Sequence, residues 1–289
     1  MARRHASPLR FASIAVTVFA LCASSFAVQA AEPHNTLSAK ERAEGWQLLF
    51  DGRTMNHWIN PAGKTPRGDA WSIEDGCLKA TPHPRITEDL VSQRKYRDFE
   101  LEWDWKVAPG GNSGMKYRIQ RFVVLSKQTA PARAKRFEDK VDYAINHSTE
   151  TDRSKIDSSE RAQVYVVGFE YQMIDNARHP DARRGPLYQT GALYSIMGPS
   201  QSVSKPAGEF NHSLLIVKGE HVEHWLNGVK VVDTMLNMEQ MKKDLAKRWG
   251  ANSEVYRLLV DQPVKDCPIS LQNHDNDAWF RDIKIKPLP

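Results

Sequence analysis

Gly168 to Asn176 sets a carboxylate and an amide two residues apart, in a run whose apolar residues alternate with them. On a β-strand, alternation sends Phe169, Tyr171 and Met173 to one face and Glu170 and Gln172 to the other. Pro268 to His274 repeats the device, with Ile269 and Leu271 opposed to Ser270, Gln272 and His274. A carboxylate, an imidazole and two amides along polar strand faces are the groups that grip sugar hydroxyls, shuttle a proton, or donate to a developing oxyanion. In the last strand-like run, Arg281 shares the parity of Ile283 and Ile285. Its guanidinium is therefore expected to point toward the apolar side, where a charge needs a partner. A plainer reading stands beside each of these: a wet outer face for Glu170 and Gln172, a solvent-facing strand end for His274, and a structural ion pair for Arg281.

The elements that must hold these residues are mostly strands. Phe99, Leu101, Trp103, Trp105 and Val107 alternate with Glu100, Glu102, Asp104 and Lys106, the pattern of an antiparallel strand with one wet side. Ala108 to Gly114 reads as a Pro- and Gly-rich loop, and Met115, Tyr117 and Ile119 alternate with Lys116, Arg118 and Gln120 beyond it. Asn227-Gly228 between two alternating runs is a strong hairpin signal. Two segments break the rhythm. Residues from about 127 to 163 form a charged insertion with a helical turn or two, and Met235 to Trp249 carries Met238, Met241, Leu245 and Trp249 at helical spacing. Strand runs without βα alternation predict an all-β, two-sheet antiparallel sandwich of the jelly-roll kind, with a long insertion and one short helix.

The N-terminus reads as an export signal over residues 1–30. Arg3, Arg4 and Arg10 precede an apolar run from Phe11 to Val28, and Val28-Gln29-Ala30 supplies small residues at a cleavage site. A periplasmic or secreted protein is the expectation, with a lead segment over 31–44 and a single domain over 45–289. Without the three leader arginines, 40 basic residues become 37 against 35 acidic ones, so nothing points to nucleic acid or, after cleavage, to a membrane. Cys77 and Cys267 remain, and in an oxidising compartment they form a disulfide or stay as two buried thiols. There is no phosphate-binding loop, dinucleotide fingerprint or nucleophile elbow.

Taken in order along the chain, a set of segments resembles the 3-keto-disaccharide hydrolase domain family, formerly a domain of unknown function. The set comprises Gly45 to Gly52, Trp71 to Gly76, Asp98 to Leu101, Asn112 to Gly114 with Arg118, and Gly168 to Gln172 with Asp175. It continues through Gly191 to Tyr194, Pro206 to Asn211, His224 to Gly228, Leu271 to His274 and Phe280 to Ile283. The resemblance implies a concanavalin-like jelly roll and cleavage of glycosides whose sugar is oxidised at C3. It implies Glu170, His274 and Arg118 as catalytic groups, with Asn112, Gln172, Asp175, Tyr194, Gln272 and Arg281 as substrate-binding residues.

A C3 ketone acidifies the C2 hydrogen, so a base can remove it and the C1 leaving group can depart by elimination. Water then adds, for a net hydrolysis. Glu170 or His274 is base or acid in this scheme, and Arg118 or Arg281 with Gln172 and Asn112 stabilises the enolate. A divalent metal held by Glu170, His274 and Asp175 is a possible Lewis acid, although the spacing commits no residue as a ligand. The alternative from another class is a noncatalytic carbohydrate-binding module using the same groove. Turnover of a keto glycoside, rather than binding alone, separates the two.

Overall fold

The computed structural model describes residues 1–2, 33–62, 69–126, 134–147 and 160–289. Residues 3–30 of the expected signal peptide, and residues 127–133 and 148–159 of the insertion, lie outside that set. Strands are numbered in chain order. One sheet of eight runs β12 (Val229–Met235), β11 (His221–Leu226), β10 (Asn211–Lys218), β7 (Phe99–Val107), β14 (Ala278–Pro287), β4 (Cys77–Ala80) and β3 (Trp71–Glu74), with β1 (Gln47–Leu48) also paired to β14. The other, of six, runs β2 (Trp58–Ile59), β6 (Leu90–Ser92), β13 (Ser270–Leu271), β8 (Asn112–Leu125), β9 (Ala162–Ile174) and β5 (Ile86–Glu88). The pairings are antiparallel except for β5, which runs parallel to β9.

The sandwich follows from the alternation. In β7 every odd residue from Phe99 to Val107 is buried and every even one is partly exposed. Leu101, Trp103 and Trp105 meet Tyr117, Phe169, Tyr171 and Met173 from the facing sheet in one core. The Trp103 and Tyr171 rings pack edge to face with centroids 5.1 Å apart. A buried histidine, His224, joins this core because both ring nitrogens find partners, the Tyr117 hydroxyl at 3.0 Å and the Gly191 carbonyl at 3.0 Å. Its basicity falls to about 4, since burial opposes the imidazolium. The Asn227-Gly228 hairpin joins β11 to β12 with both residues at positive φ, 50° and 83°, as a tight primed turn requires.

Helices decorate the strands, with three α-helices the longest of their kind among the described residues. The short α1 (Ala39–Ala43) begins with a capping box, Ser38 and Glu41 satisfying each other's backbone N–H. From the insertion comes α2 (Phe137–His147), and α3 (Glu239–Trp249) docks through Met241, Leu245 and Trp249. Both carry buried apolar stripes belonging to the main core cluster. No described helix is long and apolar enough to cross a membrane.

Two β-bulges correct the simple parity reading. Between Tyr117 and Arg121 the register of β8 slips against β9, with Arg118 at φ 50°. Between Arg281 and Lys284 the register of β14 slips against β7, with Asp282 at φ 52°. The extra residue puts Arg281 outward with Asp104, while Ile283 and Ile285 remain inside.

Cys77 and Cys267 are both buried free thiols, so the disulfide alternative is not realised. Their local partners differ: the Cys77 thiol faces the Asp75 carbonyl at 3.8 Å and the Cys267 thiol donates to the Val264 carbonyl at 3.0 Å. Burial pushes the Cys267 thiol up to about 11.

Candidate active site

The polar face of the six-stranded sheet forms the floor of a cavity of about 270 Å³. It is lined by Asn112 from β8, Glu170 and Gln172 from β9, Tyr194 from the loop between β9 and β10, and Gln272 and His274 from the segment after β13. Adjacent antiparallel strands bring these residues together: Asn112 pairs with Ile174, Gly114 with Gln172, and Lys116 with Glu170. The Gln272 N–H donates to the Gly114 carbonyl at 2.8 Å, and the Tyr194 N–H to the Glu170 carbonyl at 3.0 Å, which holds both flanking segments against β8 and β9.

Gly114 is small for a reason. A methyl group there would lie 2.5 Å from Glu170 Oε1 and 2.8 Å from its Cγ. The glutamate side chain thus folds back over the neighbouring strand, and only a glycine leaves it room. Three amide atoms on this floor, Asn112 Oδ1, Gln172 Nε2 and Gln272 Oε1, are buried without a hydrogen-bond partner among the described residues. The orientation of Gln172 is set because its Oε1 accepts from the Met173 N–H at 3.2 Å. Buried unpaired amides cost stability, and their clustering at one cavity marks groups kept for a polar ligand.

Electrostatics single out Glu170. Its side chain is only 11 % exposed. Burial pushes its pKa up to about 7, opposed by the Lys116 ammonium and reinforced by Asp89. Lys116 is itself 2 % exposed. It lies 4.0 Å from Glu170 Oε2 and 3.8 Å from Asp89 Oδ2, and donates to the Val166 carbonyl at 3.4 Å. Its ammonium also sits over the Tyr165 ring. Asp89 accepts from the Ser270 hydroxyl at 2.8 Å. One buried cation thus serves two buried carboxylates, and the carboxylate nearer the cavity titrates near neutrality. Nearby, His274 packs edge-on to His179 and burial lowers its basicity, so it is a neutral imidazole at pH 7.

The walls come from elements outside the sheets. Tyr194 donates to Asp181 at 3.4 Å, and burial raises its phenol so that it keeps its proton. Arg184 pairs with Asp181 at 3.1 Å, and Arg248 of α3 lies over the Tyr194 ring. Phe137 and Glu138 of α2 close the rim. Asp181, Arg184 and Arg248 share no strand or spacing with the floor residues, so alternation could not find them. Lys116 was legible as a neighbour of Arg118 on a polar row, yet that row reads as wet until the helices cover it.

Three expected site residues lie elsewhere. Arg118, carried outward by the bulge in β8, donates to the Lys265 carbonyl at 2.7 Å and to the Gly219 carbonyl at 2.5 Å, with Asp98 at 3.5 Å. It pins three loops and does not line the cavity. Arg281 pairs with Asp104 at 3.4 Å and Asp282 at 3.6 Å, and stacks on Phe210 at 3.8 Å. This is the structural ion pair, on the outer face of the other sheet. Asp175 caps a turn, accepting from the backbone N–H groups of Gly110 at 2.8 Å and Ala177 at 3.0 Å. The donor trio considered for a divalent metal is therefore not assembled: Asp175 is spent on backbone, and an ammonium already faces Glu170. Among the described residues, three-donor clusters occur instead at His34, Asp104 and Asp282 and at His221, Glu223 and Asp233, away from this cavity.

The two-sheet sandwich thus carries a titratable, amide-lined cavity on one sheet face. Residues 45–286 match the family described as the 3-keto-alpha-glucoside-1,2-lyase-like domain, and the chain belongs to that family. It is 29 % identical over 260 residues to a 3-keto-disaccharide hydrolase of Bacteroides thetaiotaomicron, covering 85 % of this chain and 79 % of the relative. A crystal structure of a Parabacteroides distasonis protein, provisionally named a glycosyl hydrolase, superposes with a TM-score of 0.64 at 27 % identity, over 89 % of this chain and all of that one. A second structure from that organism, with the same provisional name, has the same fold at 21 % identity, a TM-score of 0.52, and coverage of 84 % and 99 %.

Proposed function

We propose that the protein cleaves glycosides whose sugar carries a ketone at C3, and that Glu170 is the base that removes the C2 proton. The observation that carries this reading is a carboxylate held near pKa 7 on the floor of a cavity, beside three unpaired amides. A general base works best when its pKa lies near the working pH, and this one is tuned there by burial and a shared cation. The family description names a 1,2-lyase, which is an elimination across C1 and C2, and the Bacteroides relative is named for a keto disaccharide.

In this scheme Glu170 accepts the C2 proton, and the electron pair from the C2–H bond forms the enolate of the C3 ketone. Amide N–H groups of Gln172 and Asn112, with the Arg248 guanidinium, donate to the enolate oxygen. One such preorganised donor contributes roughly 3 kcal/mol to the transition state. As the enolate re-forms the carbonyl, the C1–O bond breaks, and the Tyr194 hydroxyl protonates the departing oxygen. The Glu170 carboxyl then exchanges its proton with solvent, and water adds across C1 and C2 for net hydrolysis, Glu170 giving the exchanged proton to C2 while the Tyr194 phenolate takes the proton of the water that adds at C1. Neutral His274 and Gln272 orient the sugar hydroxyls. The basic, apolar N-terminal run also supports export, which the N-terminal residue of the mature protein, read by mass spectrometry, tests.

The deciding experiment offers 3-keto-trehalose beside trehalose to wild type and Glu170→Gln. Cleavage of the keto sugar alone, lost in the variant, is the expected result. Tight binding of the keto sugar by wild type without cleavage would leave only a carbohydrate-binding module.

A further inference from the structure

A second cavity of about 270 Å³ adjoins the first, and Glu138, Arg184, Tyr194 and Arg248 line both. Its remaining wall is built by the start of α2, the outer face of α3 and the turn through Tyr188. No sheet residue enters it, so it is an addition to the sandwich at the place where a leaving group would emerge. We infer that this cavity is the leaving-group subsite and that it selects aglycones bearing an anionic group such as a carboxylate. The inference rests on the glycoside-cleaving reading above.

The charge arrangement carries it. Four cations line the cavity, Arg136, Arg184, Lys247 and Arg248, against the acids Glu138 and Asp244, with Asp181 pairing Arg184 at 3.1 Å from behind. Those acids do not neutralise them. Glu138 is shared between Arg136 at 3.6 Å and Arg248 at 3.7 Å, while Asp244 accepts from Gln240 at 3.0 Å. Exposed Lys247 has no hydrogen-bond or ion-pair partner among the described residues.

The aromatic rings argue the same way. A neutral sugar stacks on open ring faces, yet the Arg184 guanidinium lies 3.9 Å over Tyr188 and Arg248 lies 5.1 Å over Tyr194. Arg184 already gives one N–H to Asp181 at 3.1 Å and another to the Tyr188 hydroxyl at 3.0 Å, so Arg248, with one N–H on the Ser195 hydroxyl, and Lys247 are the cations left to meet a carboxylate by charge-assisted hydrogen bonds. A positive, partly enclosed wall also concentrates anions.

The test uses two 3-keto glucosides of nearly equal leaving ability, one with a 3-carboxyphenyl and one with a 3-carbamoylphenyl aglycone. Wild type should favour the carboxylate by about tenfold or more in kcat/KM, a preference that shrinks as salt is raised. In Arg136→Gln/Lys247→Gln the ratio should fall to about twofold or less. Lys247→Gln alone, at an exposed helix position that cannot threaten the fold, should lower it part of the way. Equal kcat/KM for the two glycosides in wild type, or a ratio that neither variant changes, would overturn the inference. If neither glycoside is cleaved, the reaction reading fails by itself, and titration with free 3-hydroxybenzoate and 3-hydroxybenzamide decides the subsite. Preferential binding of the acid, lost in the double variant, supports it, and equal or absent binding refutes it.

Discussion

Replacing Gly114 by alanine isolates the placement of Glu170 from the stability of the fold. The added methyl would meet Glu170 Oε1 at 2.5 Å and Cδ at 2.9 Å, distances that no carbon contact tolerates. Gly114 is not in the left-handed region, so alanine brings no backbone strain. Overpacking costs about 1–3 kcal/mol, and restricting the unfolded chain returns about 0.4–1 kcal/mol. The methyl meets the end of a flexible side chain rather than backbone, so the cost lies at the low end and the melting temperature should shift by ~3 °C or less. The carboxylate, however, must move by about 1 Å, a displacement that costs on the order of 100-fold in rate when the moved group does the chemistry. That factor is about 2.7 kcal/mol of barrier. Initial rates on a 3-keto glycoside, paired with thermal melts, read both quantities. A Gly114→Ala protein that is folded and keeps wild-type kcat would refute Glu170 as the proton-transfer group.

Other outcomes follow from the same charges. Because Glu170 titrates near 7 when folded against an ordinary 4.5, the folded state holds its proton more tightly than the unfolded state. That stabilisation is complete below 4.5 and is lost as pH rises through about 7, so Glu170→Gln should gain on wild type across this window by on the order of 3 kcal/mol, as urea melts at pH 4.5 and 7.5 would show. Removal of the shared cation in Lys116→Met strands two buried carboxylates and should destabilise by ~3–5 kcal/mol, while shifting the rising limb of the kcat/KM profile above pH 7. A limb left in place would mean that Lys116 does not set the Glu170 proton affinity. For Arg118→Gln, which loses two backbone acceptors and the Asp98 pair, melts should report a loss of about 2–3 kcal/mol, with kcat/KM within about threefold of wild type because its guanidinium does not reach the cavity.

Alternation was enough to read the sandwich and the floor of the site. Odd residues of β7, and of β9 from Val167 onward, bury the core, and the same parity delivers Glu170 and Gln172 to the opposite face. It failed at Arg118 and Arg281, where a bulge residue at positive φ changes which way the following side chains point. Nothing in the side-chain pattern marks the first bulge, because Arg118 is an unusual residue for that backbone, and Asp282, of a type that tolerates positive φ, is too common in ordinary strands to mark the second. Lys116 looked solvated, since its ion partner Asp89 sits near β6 and its burial depends on helices from distant segments. The helices were visible by their spacing, but not where they dock. Hence the acids and amides of the floor were legible, whereas the arginines of the wall were not.

The central claim is that Glu170 moves a proton at C2. Cleavage of a 3-keto glycoside in deuterium oxide, with the released sugar read by NMR, tests it most directly. Wild type should release a 3-keto sugar carrying deuterium at C2, and Glu170→Gln, still folded, should neither cleave nor exchange. A product that keeps its original C2 hydrogen, or exchange that persists undiminished in Glu170→Gln, would contradict the account.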